Sequence, residues 1–182
     1  MQPPRQETHL RSVQIDAATR RNLELTQALS GGRAGSLLSV IDQTVTSGGA
    51  RLLERRLAGP SRVLETIHHR LDAVSHASEN TRMTEELRGQ LRKVPDLDRA
   101  LSRLSLDRGG PRDLTAIRNG LAEAALIAQT GLGDAPHLLK TALVDLTGHD
   151  ELIDLLDQSL VAEPPLLARD GGFIAPEYDT EL

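Results

Sequence analysis

The chain has 182 residues, with 21 Lys plus Arg against 26 Asp plus Glu and a formal net charge of −5. A chain of about 150 residues buries roughly 70% of the surface its unfolded form exposes, so this length allows one sizeable core or two small ones. Cysteine is absent, which excludes disulfides, thiolate zinc sites, iron–sulfur clusters and a cysteine nucleophile; aromatics amount to 1%, Phe173 and Tyr178 alone, so the core must be aliphatic.

Residues 1–14 read as a polar arm without the apolar run of a signal peptide, and no later segment approaches the ~18 uninterrupted apolar residues of a membrane span. Together with the lack of cysteine this points to a cytoplasmic protein with no membrane partner. Asp16 before Ala17-Ala18-Thr19 is a helix start, because its carboxylate accepts the unpaired N–H groups of a first turn. That helix is expected to run to about Leu29 and to stop at Ser30-Gly31-Gly32-Arg33-Ala34-Gly35. The short apolar stretch Ser36–Asp42 reads as an irregular connector.

From Ser47 the apolar spacing turns helical, with Leu53 and Leu57 on one face and Gly59-Pro60 as terminator. Leu64, Ile67, Leu71 and Val74 mark the next helix; Met83, Leu87, Leu91 and Val94 mark another, ending at Pro95. Asp96 caps a helix carrying Leu97, Leu101 and Leu104, which Asp107-Arg108-Gly109-Gly110-Pro111 breaks. Leu114, Ile117, Leu121, Ala125 and Ala128 predict a longer helix to about Gly131, followed by amphipathic segments over Leu139–Leu146 and Leu152–Leu160. Thereafter Leu166-Leu167-Ala168 and Phe173-Ile174-Ala175 flank Arg169-Asp170-Gly171-Gly172, a pattern that predicts a small β-hairpin. Pro176 to Leu182 reads as the opening of a further helix, which makes the chain look cut from a larger protein. The expected fold is therefore all-α, a multi-helical bundle over 15–165 with irregular connectors and a short β element within 166–182.

Four constellations could carry chemistry. Gly31–Ser36 has the glycines of a phosphate-cradling loop, but Gly35 stands where the lysine should precede the hydroxyl residue, and a helix rather than a strand leads into it. His68, His69 and His76 share one helix, yet two turns separate His68 from His76, too far for one metal. Asp150, Asp154 and Asp157 lie on one helical face and could bind a hard cation or act as acid and base; the plainer reading is a solvated face opposite Leu152, Ile153 and Leu156. Basic residues gather at Arg20-Arg21, Arg51-Arg55-Arg56, Arg88-Arg92-Lys93 and Arg99-Arg103-Arg108-Arg112, without aromatic platforms and in an acidic chain, so pairing with nearby carboxylates is the default.

Several motifs in order resemble the MutS family of mismatch-repair proteins. Ile15-Asp16-Ala17-Ala18-Thr19-Arg20-Arg21-Asn22-Leu23-Glu24-Leu25 resembles the opening of that family's core domain. Ser36–Thr44, Gly49-Ala50-Arg51-Leu52-Leu53, Arg70-Leu71-Asp72-Ala73-Val74, Val94–Arg99 and Pro111-Arg112-Asp113-Leu114 follow at the family's spacing. Asp170–Ala175 and Tyr178–Leu182 resemble the passage leading into its clamp. Two packing positions depart: no Trp follows Arg56-Leu57-Ala58, and Ser47-Gly48 stands where Met-Gly is frequent.

The resemblance implies the first segment of the core, or lever, domain, which couples an ATPase domain to a DNA-embracing clamp. ATP and Mg would belong to the ATPase domain, with no cofactor or catalytic constellation in this segment. Mismatched double-stranded DNA would be met through the clamp and the mismatch-reading domain, and a MutL-type partner, a bacterial cytoplasm and association with the nucleoid on DNA follow from the same likeness. Asp16, Thr19, Arg20, Arg21, Asn22 and Glu24, polar residues crowded at one helix start, are the expected joint with neighbouring domains. Apolar helix faces normally covered by helices returning after the clamp would be exposed, favouring homo-oligomers. The alternatives are a free-standing helical protein–protein adaptor and a metal-assisted hydrolase built on Asp150 to Asp157.

Overall fold

The computed structural model describes residues 11–178; the first ten residues and Asp179–Leu182 lie outside the described part, and of the helix opening expected over Pro176–Leu182 only Pro176–Tyr178 is described, as a turn. The chain divides into two compact units, Met1–Ser75 and His76–Leu182.

In the first unit Asp16 starts α1 (Ala17–Asn22) as expected, its side chain accepting the N–H of Thr19 at 2.9 Å. The helix does not continue to Leu29. Past Asn22 the backbone leaves the helical ladder: Glu24 takes a positive φ of 49°, and its C=O and that of Leu25 accept the N–H groups of Leu37 and Leu38 at 2.9 Å each. These bonds across the loop replace intrahelical ones and bury Leu38, which is 1% exposed, beside the fully buried Ser36. Such burial outweighs the modest helical preference of Leu25 to Leu29. The glycines close the loop: Gly31, Gly32 and Gly35 all have φ between 79° and 90°, a region that costs other residues strain.

The stretch expected to be an irregular connector is instead a one-turn helix, α2 (Leu37–Ile41), because Ser36 caps it, its Oγ accepting the N–H of Ser39 at 3.2 Å. Next comes α3 (Ser47–Ala58), opened by Thr46 Oγ1 on the N–H of Gly49 at 3.0 Å and stopped at Gly59-Pro60. Residues 11–13 then run antiparallel to 60–62, with Val13 N–H donating to Pro60 O at 2.8 Å and Arg62 N–H to Arg11 O at 2.9 Å. The boundary between the units falls inside α4 (Leu64–Glu79).

The second unit is built around one long helix. Its elements are α5 (Thr81–Leu91), α6 (Leu97–Ser105), α7 (Pro111–Ala128), α8 (His137–Val144) and α9 (Asp150–Ser159), and α5, α6, α8 and α9 all contact α7. Pro111 suits the first position of α7 because that N–H has no helical partner to lose. The side of α7 facing its neighbours carries small residues: Gly120 and Ala124 are buried, and a Cβ added to Gly120 would stand 2.8 Å from Leu97 Cγ on α6. Ala100, Ile127, Leu132, Ala135, Leu156 and Leu160 complete the core. Each large aliphatic side chain fully buried there contributes about 1.5–3 kcal/mol, so this aliphatic core does the work that aromatics do elsewhere. Side chains fasten the helices as well: Thr130 Oγ1 donates to Gln90 Oε1 at 3.0 Å, and Arg118 on α7 reaches Asp157 on α9 at 3.7 Å.

The β-hairpin expected over Leu166–Ala175 does not form. Ala168–Asp170 makes a 3-10 turn, and although Gly171 and Gly172 both take the φ of 66° that a two-residue hairpin turn needs, Gly171 has a ψ of −175°, which extends the chain there instead of folding it back. Ile174 pairs with Leu160 in a single bridge, flanked by Val161 N–H to Phe173 O at 3.0 Å and Ala175 N–H to Ser159 O at 2.9 Å. The apolar run thus finds its partner at the buried end of α9 rather than in its own neighbour. Among the described residues the structure is all-α, with nine α-helices and no strand longer than an isolated bridge.

Candidate functional site

The six polar residues at the start of α1 separate into distinct local roles. Asp16 and Thr19 bind each other: besides the cap, Thr19 Oγ1 donates to Asp16 Oδ2 at 2.6 Å. That hydroxyl hydrogen bond, followed by the backbone one, holds the Asp16 carboxyl below its ordinary value. Arg20 is half-buried, its guanidinium donating to the C=O of Ile15 at 3.1 Å. Arg21 and Asn22 are exposed at the helix end, whereas Glu24 turns into the loop and accepts the N–H of Leu29 at 2.6 Å. Asp16, Thr19 and Arg20 are therefore brought together, Arg21 and Asn22 face solvent, and Glu24 holds the loop closed.

Arg20 also opens onto a feature that no local sequence pattern announces. The pairing of 11–13 with 60–62 shapes a recess of about 850 Å³ whose charged lining is Arg11, Arg20, Arg70 and Glu65. Arg56 lies close by; burial, then the neighbouring charges of Arg70 and Arg55, push its guanidinium below its ordinary value. Arg20 and Arg56 each hold a buried Nε with no hydrogen-bond acceptor. Burying a cationic donor without a partner costs free energy, so such atoms need an explanation. The sequence showed Arg20 and Arg56 only within separate basic gatherings, and Arg11 and Arg70 as single residues, spread over sixty positions.

The other candidate constellations take ordinary places. Gly31–Ser36 joins α1 to α2, with Arg33 ion-paired to Asp42 across it. His68, His69 and His76 fall on α4, and Asp150, Asp154 and Asp157 are exposed along α9, where Asp157 pairs with Arg118. Among the described residues no group of three or more His, Asp and Glu is placed to hold a metal ion. Arg103, from the basic run after Arg99, binds Asp113 at 3.1 Å. No helix among the described residues is long and apolar enough to cross a membrane.

Helices gathered on a central α7, with a closed loop and an arginine-lined recess in a separate unit, define an all-helical structural segment. Residues 18–181 match the family described as MutS domain III, and the chain belongs to that family. It is 66% identical to the DNA mismatch repair protein MutS of Roseobacter denitrificans over 183 residues, and 64% identical to those of Cereibacter sphaeroides and Ruegeria pomeroyi. In each case the whole of this chain is covered, and it spans about a fifth of the relative's length, 21%. The matched part is domain III and not the ATPase domain.

Proposed function

We propose that the chain acts as the core or lever segment of a MutS-type mismatch-repair protein, coupling the ATPase domain to the DNA-embracing clamp. The match of residues 18–181 to MutS domain III carries this reading. The packing supports it: with Gly120 and Ala124 letting helices approach α7 closely, the second unit resists bending and passes displacement on as one body. In this role the polar start of α1, Asp16 to Glu24, is the joint with neighbouring domains. The whole protein binds mismatched double-stranded DNA in an ATP-dependent manner in the bacterial cytoplasm, associated with the nucleoid when on DNA. ATP and Mg occupy its ATPase domain, a MutL-type protein is its partner, and its copies associate.

Anisotropy of a labelled mismatched duplex tests this, with the full-length protein beside the 182-residue chain. Binding by the full-length protein alone is expected, since the clamp and the mismatch-reading domain supply the contacts. Full-length protein carrying Gly120→Ala should hydrolyse ATP yet release the duplex less readily when ATP is added. Normal release from that variant, or tight salt-sensitive binding by the short chain, would overturn the lever reading.

A further inference from the structure

The recess beside α1 concentrates positive charge in a molecule whose net charge is −5. Three guanidinium groups, Arg11, Arg20 and Arg70, line it against one carboxylate, Glu65, and Arg56 is near enough to Arg70 to feel its charge. Folding has taken the Nε atoms of Arg20 and Arg56 out of water without giving them acceptors. The guanidinium groups that line the recess suit an oxygen anion, since a carboxylate matches a guanidinium in two parallel hydrogen bonds. Ser12, Ser61 and Thr66 add hydroxyls to the same lining.

Two features of the recess decide between classes of anion. Its walls include Val13, Ile15, Ala58 and Val63, apolar surface that a peptide's side chains cover and a phosphodiester backbone does not. Its volume, about 850 Å³, suits a short stretch of polypeptide rather than one phosphate ion. A duplex meets proteins through side chains that project towards it, whereas Arg20 and Arg70 are half-buried. Most of the length of the relatives, some four fifths, lies outside the part that matches this chain, so a covering segment has ample source. We infer that this arginine-lined recess docks an acidic segment of the remaining polypeptide, one carboxylate seated between Arg20 and Arg70 and its apolar neighbours against Val13 and Val63. The inference rests on reading the start of α1 as a joint between domains, and it gives that joint a chemistry.

A fluorescein-labelled hexaglutamate peptide titrated into the chain tests it, read by anisotropy, with inorganic phosphate and a DNA duplex as competitors. Binding is expected to weaken about tenfold with Arg70→Gln and with Arg20→Gln, to be only partly restored by Arg70→Lys, which keeps the charge but not the two parallel hydrogen bonds, and to tighten with Glu65→Gln. Arg82→Gln, at an exposed position on α5, should leave it unchanged. If the arginine variants lose their helical circular dichroism, the Glu65→Gln variant decides, because removing the one opposing carboxylate must strengthen binding if the recess is the site. The inference fails if no peptide binds, if Arg82→Gln weakens binding as much as Arg70→Gln, or if phosphate or duplex displaces the peptide more effectively than unlabelled peptide does. Such a failure removes the occupant of the recess and leaves the lever reading to the release experiment with Gly120→Ala.

Discussion

Asp113 and Arg103 fasten the turn between α6 and α7: Asp113 Oδ2 accepts Arg103 Nε at 3.1 Å and, from the other side, the N–H of Gly110 at 2.8 Å. Arg103 continues to the C=O of Arg108 at 3.3 Å, so one carboxylate and one guanidinium close the whole break that Asp107 to Pro111 introduces. Asp113→Ala removes a helix-start acceptor and an ion pair together and should cost about 1–2 kcal/mol. Asp113→Asn, which keeps an acceptor for Gly110, should cost less. Thermal unfolding of the two variants beside the parent chain measures the difference, and equal stability would show the turn is held by packing alone.

Close approach of α6 and α7 depends on the missing side chain at Gly120. A methyl group there meets Leu97, so Gly120→Ala should destabilise the second unit by about 1–3 kcal/mol despite the better helical preference of alanine. Leu97→Ala empties the space and should partly rescue it. In a double-mutant cycle the coupling is expected to be favourable and above ~0.5 kcal/mol, and strict additivity would mean the helices simply move apart.

The helices that sequence disclosed most fully are those whose boundaries are chemical. Thr46 and Asp96 accept N–H groups at the starts of α3 and α6, Gly59-Pro60 and Gly110-Pro111 forbid continuation, and apolar residues recur between them at helical spacing. The MutS-family motifs were legible for the same reason, being local strings in order. The end of α1 was not, because what stops it is the bonding of Glu24 and Leu25 to Leu37 and Leu38, twelve or more residues away. The hairpin failed similarly: Phe173-Ile174 had the right turn residues before it, but the end of α9 offered a partner where Leu166-Leu167 did not. As for the candidate joint, Asp16 as a cap was readable, while the recess around Arg20 exists only once 11–13 has paired with 60–62.

Acid should loosen the loop after α2 through Asp42. Its carboxylate accepts Thr44 Oγ1 at 2.6 Å and Thr44 N–H at 3.0 Å and pairs with Arg33, and the Thr44 hydroxyl is the largest of the causes that lower its pKa below the ordinary 3.8. A carboxyl depressed in the folded state contributes stability that is present above its unfolded value and is lost as pH falls through the folded value. Thr44→Val should therefore raise the Asp42 pKa towards 3.8, seen in the carboxyl carbon shift during an NMR titration. Asp42→Asn should make the unfolding midpoint less sensitive to pH in that acidic window. An unchanged titration of Asp42 in Thr44→Val would remove the hydroxyl as the cause.

On α4, Leu64, Leu71 and Val74 are 69%, 56% and 65% exposed, and Val40 on α2 is 72% exposed. Positions 64, 71 and 74 fall on one helical face, where three aliphatic side chains in water form a continuous apolar stripe. Surface of that kind is stabilised by association, since each side chain withdrawn from water gains up to about 1.5–3 kcal/mol when fully buried. The isolated chain should therefore self-associate in light scattering as its concentration rises. Leu71→Glu and Val74→Glu should return it to monomer without loss of helical circular dichroism, because neither side chain is buried in the fold. A chain that stays monomeric over a wide concentration range would show that this stripe tolerates water.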